Sequence, residues 1–171
     1  MLNIAGIVND SIVDGPGIRL TVFAQGCPHH CVGCHNAETW SFADEYLISE
    51  EEILTMVKAN PLVRGVTFSG GEPFSQSEGF TKLAILLAAE GYEIGCYSGY
   101  TFEELISGTM EQQELLNHIH ILIDGPYIQE LRSMNTIYRG SSNQRIIDVK
   151  ASLLEHQAIE TTSSRWLGIY N

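Results

Sequence analysis

Strand-like and helix-like stretches alternate along this chain, and no other feature constrains its fold as tightly. "IRLTVFAQG" (residues 18–26) alternates in polarity and is rich in β-branched and aromatic residues, which suits a strand. "SEEEILTMVKAN" then reads as a helix: Ser49 is an N-cap, acids fill the first turn, Ile53, Leu54 and Val57 fall at helical spacing, and Pro61 stops it. The pattern returns. "GVTFSGGEPF" is a strand entering a glycine-rich loop, and "SEGFTKLAILLAAEG" is a helix closed by Gly91. "YEIGCYSG" is a strand and loop, "TFEELI" a helix capped by Thr101, and "HIHILIDG" a strand ending at Asp124. A short late strand, "QRIIDV", precedes a helical "ASLLEHQ" and a polar tail from about residue 150.

Such alternation builds βα units around a parallel sheet. At roughly 30 residues per unit, 171 residues hold about five or six units, too few for an eight-stranded barrel. The expected fold is α/β: a single domain over 1–171 forming an open, partial parallel βα barrel. In such sheets function gathers in the loops beyond the strand carboxyl ends. The chemically unusual stretches all fall there: the cysteine loop at 26–36, "SGGEPF", "YSGYT" and "IDGPY".

The cysteine loop, "CPHHCVGCHN", spaces Cys27, Cys31 and Cys34 as Cys-x3-Cys-x2-Cys among His29, His30 and His35. The N-terminus lacks a charged start followed by an uninterrupted apolar run, so no signal peptide is expected. No apolar run approaches the length of a membrane span. A cytoplasmic protein is therefore expected, and in a reducing compartment clustered thiols point to metal before disulfides. A net charge of −12 disfavours nucleic acid as a partner.

Thiolates select zinc, copper(I) or iron–sulfur clusters. A structural zinc site needs four protein ligands in a closed tetrahedron, and one of the histidines would have to complete it. His35 is adjacent to Cys34 and turns back to the same ion with difficulty. A [4Fe–4S] cluster normally takes four cysteines. Three leave one iron open for another ligand, as catalytic metal sites leave a position open. The spacing favours the cluster over zinc and leaves both in play.

The Cys-x3-Cys-x2-Cys loop, placed after a strand and before a partial barrel, resembles the radical S-adenosylmethionine (SAM) superfamily. "SGGEP" (residues 69–73) resembles that superfamily's second motif. "DGPGIR" (14–19) and "CHN" (34–36) are similar to the glycyl-radical-enzyme activases. "IDGPY" (123–127) and "RGSSNQRIIDV" (139–149) are most similar to the activases that serve anaerobic (class III) ribonucleoside-triphosphate reductase. The likeness runs from about residue 6 to residue 149.

The resemblance implies that Cys27, Cys31 and Cys34 bind a [4Fe–4S] cluster whose open iron is chelated by SAM. One electron from the cluster then cleaves SAM to methionine and a 5′-deoxyadenosyl radical. That radical takes a hydrogen atom from a glycine of the reductase large subunit. It further implies a flavodoxin-type electron donor, a homodimer, and no catalytic side chain beyond the cluster and SAM. Backbone approach at Gly70 and Gly71 and the carboxylate of Glu72 would receive the SAM ammonium.

Other residues carry two readings each. Asn36 donates to a cluster sulfur or to SAM, or is a loop cap. Ser98, with Tyr97, approaches SAM, or the tyrosine only packs. Asp124 is a site carboxylate or part of an Asp-Gly turn. Arg19 meets a carboxylate of SAM or of the partner, or faces solvent. Arg139, Asn143, Gln144 and Arg145 order a loop over the site or meet the reductase, or form an exposed connector. Cys96 is expected to be buried as a small hydrophobe, not a ligand. The alternatives to a reductase activase are an activase of another glycyl radical enzyme of the pyruvate formate-lyase type, a small-molecule radical SAM enzyme such as 7-carboxy-7-deazaguanine synthase, and a zinc or iron–sulfur module without SAM chemistry.

Overall fold

The computed structural model describes residues 1–43 and 46–169. In chain order the elements are β1 (Leu2–Ser11), β2 (Ile18–Ala24), β3 (Tyr46–Ile48), α1 (Glu50–Ala59), β4 (Val63–Gly70), α2 (Ser77–Ala89), β5 (Glu93–Tyr97), α3 (Phe102–Ile106), α4 (Met110–His118), β6 (Ile121–Asp124), β7 (Arg145–Asp148), α5 (Val149–Glu155) and α6 (Ser164–Leu167). Local signals set most of these ends. Ser49 and Thr101 each close a capping box, with Glu52 and Glu104, and Gly91 follows α2 at φ +83°.

All seven strands join one open sheet in the order β3-β1-β2-β4-β5-β6-β7. Its centre is parallel: β2 pairs with β4, β4 with β5, and β5 with β6. The expected open parallel α/β class is therefore present, with three parallel pairs at its centre instead of five or six βα units. The edges are antiparallel, β1 and β3 on one side and β7 on the other. These short returns and the long connection between β6 and β7 take up the length that further units would need.

Side-chain alternation divides the sheet into two faces. Rows such as Leu20–Val66–Ile94 and Val22–Phe68–Cys96–Leu122 lie side by side and are fully buried in the main core with α1, α2 and α4. The alternate residues include Arg19, Thr21, Thr67, Glu93 and Tyr97, an unusually polar set for a sheet interior.

Arg19 organises the lower part of that second face. It is fully buried. Its Nε donates to Thr67 Oγ1 at 2.8 Å, and its terminal nitrogens donate to the Glu93 carboxylate, the Val66 carbonyl and the Glu93 carbonyl at 3.0–3.1 Å. The guanidinium lies 5.2 Å from the centroid of the Trp166 ring. Neither expected reading of Arg19, ligand contact or solvent exposure, is what the structure shows. The helix expected over "ASLLEHQ" is present as α5, but the polar segment after it differs from a tail: it forms α6 and buries Trp166 to 1% exposure. One tryptophan among polar residues carries enough apolar area to fasten the segment to the sheet.

Arg19→Met is expected to cost about 3 kcal/mol of stability, because it strips the buried partner from Glu93 and the donor from Thr67. Chemical denaturation followed by Trp166 fluorescence measures this. A loss below about 1 kcal/mol, the level of an exposed pair, would show that the buried network is not a stabilising one.

Candidate active site

The upper part of the polar face opens into a cavity of about 480 Å³ at the carboxyl ends of β2, β4, β5 and β6. Cys27, Cys31 and Cys34 all line it, together with Asn36, Ser69, Gly70, Gly71, Ser98, Gly125 and Arg139. The four loops singled out by their chemistry thus meet at one place.

The cysteine loop is tied at its base. The N–H groups of Gly26 and Cys27 donate to the Thr39 and Trp40 carbonyls at 2.7 and 3.1 Å, and Cys34 N–H donates to the Cys31 carbonyl. The turn after β4 grips the same base: Gly71 N–H donates to the Ala24 carbonyl and Glu72 N–H to the Gly26 carbonyl, both at 2.8 Å. Main-chain donors also face the sulfurs. Asn36 N–H reaches Cys34 Sγ at 3.4 Å. Burial pushes the Cys27 thiol up, while the N–H groups of His29 and His30 oppose that shift by favouring the thiolate. Donors aimed at sulfur are what a thiolate-held cluster requires around it.

Each histidine of the loop sits against an aromatic ring: His29 against Tyr100 at 4.4 Å, His30 against Trp40 at 4.8 Å, and His35 against Tyr127 at 5.1 Å. Among the described residues, no three His, Cys, Asp or Glu side chains are placed to hold one metal ion. A zinc tetrahedron would bring its ligands to within about 2.3 Å of a single ion. A [4Fe–4S] cube binds each thiolate at a different iron, so wider-set cysteines on a cavity wall suit it.

The other expected site residues divide. Asn36 lines the cavity, and it is its main chain that contacts a sulfur. Ser98 lines the cavity, but its hydroxyl donates to Glu72 at 3.0 Å. Gly70 and Gly71 line it too, yet their lack of a side chain answers to the protein itself. A Cβ on Gly70 would lie 2.6 Å from the Ala24 nitrogen, and one on Gly71 would lie 2.4 Å from the Gly26 oxygen. Glu72 is fully buried and is not among the lining residues. Asp124 is likewise buried away from the cavity. Its carboxylate accepts from Phe102 N–H at 2.8 Å and from Arg145 Nε at 3.0 Å. It therefore joins the end of β6 to the start of α3 and to β7, while neighbouring Gly125 meets the cavity.

Further residues that the sequence left with two readings also contribute. Tyr97 donates its phenol to the Tyr138 carbonyl at 2.7 Å, and burial holds that phenol well above its usual range. Gln144 closes the loop beneath the cavity, accepting from the N–H groups of Gly140 and Ser141 and donating to the Gly125 carbonyl at 3.0 Å. Arg139 lines the cavity; its terminal nitrogen donates to the Gln144 carbonyl at 3.3 Å, and its Nε is shielded and without a hydrogen-bond partner. Of the four polar residues of the late segment, Arg139 and Gln144 belong to the cavity wall. Arg145 pairs with Asp124 and Glu103.

Cys96 is fully exposed to neither solvent nor cavity: it is completely buried, and burial raises its thiol well above the ordinary range. In the native, metal-free chain, iodoacetamide is expected to label Cys31 and Cys34, both partly exposed, and to leave Cys96 unlabelled until denaturant is added. Mass mapping of the labelled peptides checks this. Native labelling of Cys96 at the rate of Cys31 would mean that β5 opens.

Comparison with known proteins agrees with this geometry. The family model of the 4Fe-4S single cluster domain matches residues 13–147, so the fold and site define an iron–sulfur protein of the single-cluster class. Relatives named anaerobic ribonucleoside-triphosphate reductase-activating protein are similar over most of the chain. The one from Escherichia coli (strain K12) is 36% identical over 141 residues, covering 78% of this chain and 90% of the relative. That of Haemophilus influenzae is 34% identical over 143 residues, covering 79% and 90%. That of Enterobacteria phage T4 is 31% identical over 140 residues, covering 78% and 86%. The chain belongs to the family of anaerobic ribonucleoside-triphosphate reductase-activating proteins. Among solved structures, QueE from Escherichia coli is similar over 58% of this chain and 52% of that one, at 20% identity and a TM-score of 0.45.

Proposed function

We propose that this chain is a radical SAM activase that generates a glycyl radical on anaerobic (class III) ribonucleoside-triphosphate reductase. The observation that carries the reading is the meeting of three cysteines, a sulfur-directed N–H group and the Arg139 side chain on one cavity, in a chain of this family. Cys27, Cys31 and Cys34 would hold the cluster. Bound there, the cluster and SAM supply the electron and the hydrogen-abstracting group. The protein positions both, and Arg139 offers a charged donor to the SAM carboxylate. Ser98 and Gln144, both buried, and the half-buried Tyr97 wall that side of the cavity.

The reading also carries a flavodoxin-type electron donor, a homodimer and a cytoplasmic setting, for which the support is family resemblance. Among the described residues no helix is long and apolar enough to cross a membrane.

The test is anaerobic reconstitution with iron and sulfide, reduction, and addition of SAM with the reductase. 5′-Deoxyadenosine and a glycyl-radical signal in the electron paramagnetic resonance spectrum of the reductase are the expected results. Deoxyadenosine with no radical on the reductase, but one on a formate-lyase-type enzyme, would move the activity to that partner. Zinc binding with no SAM cleavage would overturn the reading. Within it, Arg139→Ala is expected to raise KM for SAM about tenfold, the loss of one charge-assisted contact, with a smaller change in kcat. An unchanged KM would remove Arg139 from the SAM site.

A further inference from the structure

We propose that Glu72 and His29 form a clasp that positions the cysteine loop, so that Glu72 acts through His29 and not as the receptor of the SAM ammonium. This rests on the radical SAM reading above for the role of the loop, but the clasp itself is a property of the chain.

The Glu72 carboxylate is fully buried, and its acceptor sites are taken from within the protein. Oε1 accepts from Phe74 N–H and from Ser98 Oγ, both at 3.0 Å. Oε2 accepts from Gly99 N–H at 2.9 Å and stands 2.7 Å from His29 Nε2. A carboxylate has about four lone-pair sites, so an incoming ammonium would have to displace one of these partners.

His29 is held as firmly from its own side. Its ring meets Tyr100 edge to face at 4.4 Å and lies against Gly99, where a Cβ would come within 2.4 Å of it. The ring is therefore wedged between the turn after β4 and the loop after β5.

What the clasp holds is the backbone between two cysteines. His29 lies two residues from both Cys27 and Cys31, so fixing its side chain fixes the main chain between them. His30 turns the chain at φ +48°, a left-handed conformation that histidine tolerates better than most residues with a side chain. An anchored His29 side chain fixes where that turn begins. Main-chain donors close to a metal-ligating atom keep their direction only if something further out fixes them.

The test uses the full chain and the variants His29→Ala, Glu72→Gln and the double variant, with two readouts. The first is the rate of iodoacetamide labelling of Cys31 and Cys34 in the metal-free protein. The second is iron retention against a chelator, with KM and kcat for SAM cleavage, in the reconstituted protein. Each single variant is expected to speed labelling and iron loss about tenfold or more. The double variant should be no faster than the quicker single one, because both break one unit. KM for SAM in the loaded fraction should change less than about threefold, a shift small against the tenfold step of one decade in affinity.

Wild-type labelling rates in Glu72→Gln with a tenfold higher KM for SAM would overturn the clasp and make Glu72 a SAM ligand. If Glu72→Gln fails to fold, as judged by thermal melting, His29→Ala decides alone, since it leaves the other three contacts of Glu72 in place. Wild-type labelling in that variant overturns the clasp. Failure of the unmodified protein to cleave SAM would sink the proposed function, and the labelling rates would still decide the clasp.

Discussion

Cys27→Ala, Cys31→Ala and Cys34→Ala are each expected to abolish cluster loading and with it SAM cleavage, while Cys96→Ala retains both. The three cysteines share one cavity wall, and none has a substitute. Each loop histidine is packed on an aromatic ring, and Cys96 sits fully buried on the opposite, helix-covered face of the sheet. Replacing one thiolate leaves two irons of the cluster without a protein ligand, counting the one already open, and the loss should exceed 10²-fold in activity, beyond the range for an outer-shell change. Iron and sulfide analysis together with deoxyadenosine formation measures it. Cys96→Ala removes only a small buried side chain, at a cost of about 1–2 kcal/mol in stability. Full activity in any one of the three loop variants would remove that cysteine from the ligand set. Loss of iron in Cys96→Ala without loss of fold would add a fourth ligand.

Gly70→Ala is expected to destabilise the fold by about 3–5 kcal/mol, the range of the most damaging single changes. Two effects combine there. Gly70 has φ +89°, which a side chain resists, and its Cβ would meet the Phe23 and Ala24 backbone at 2.6 Å. Neither obstacle is the end of a flexible side chain, so one strand must shift away from the other, and β2 and β4 are paired at that point (Ala24 with Gly70). The cluster loop begins two residues after Ala24, so iron loading should fall as well. Denaturant unfolding of the metal-free chain reads the stability directly. If Gly70→Ala kept its stability and only raised KM for SAM, the glycine would be there for the ligand and not for the sheet.

Gly70 and Glu72 show why the site was only partly legible in the sequence. "SGGEP" marked the right place, because a glycine pair at a strand end needs special backbone geometry wherever it occurs. What the segment does there was not legible. The partners that explain it are Phe23, Ala24 and Gly26 for the glycines, and His29, Ser98 and Gly99 for the glutamate. None is within 25 residues of Glu72. Asp124 repeats the lesson: its position at a strand end was evident, whereas its bonds to Phe102 and Arg145 depend on α3 and β7 being brought to it. Strand β1 escaped notice because Gly6, Asn9 and Asp10 blur its alternation, and β3 is only three residues long. Pairing makes strands of both, since β1 lies between β2 and β3 and bonds to each.

Sequence alone determined the features whose causes lie within a few residues: the cysteine spacing, the helix caps at Ser49 and Thr101, the glycine after α2, and the alternation that demanded an open parallel sheet. Only the tertiary structure decided how the charged groups are used. Arg19 went to Glu93, Thr67 and Trp166, Asp124 to Arg145, and Glu72 to His29, while Arg139 went to the Gln144 carbonyl in the cavity wall. The physical reason is that a buried charge is stable only beside its partners, and sheet register, not sequence distance, determines which groups become neighbours.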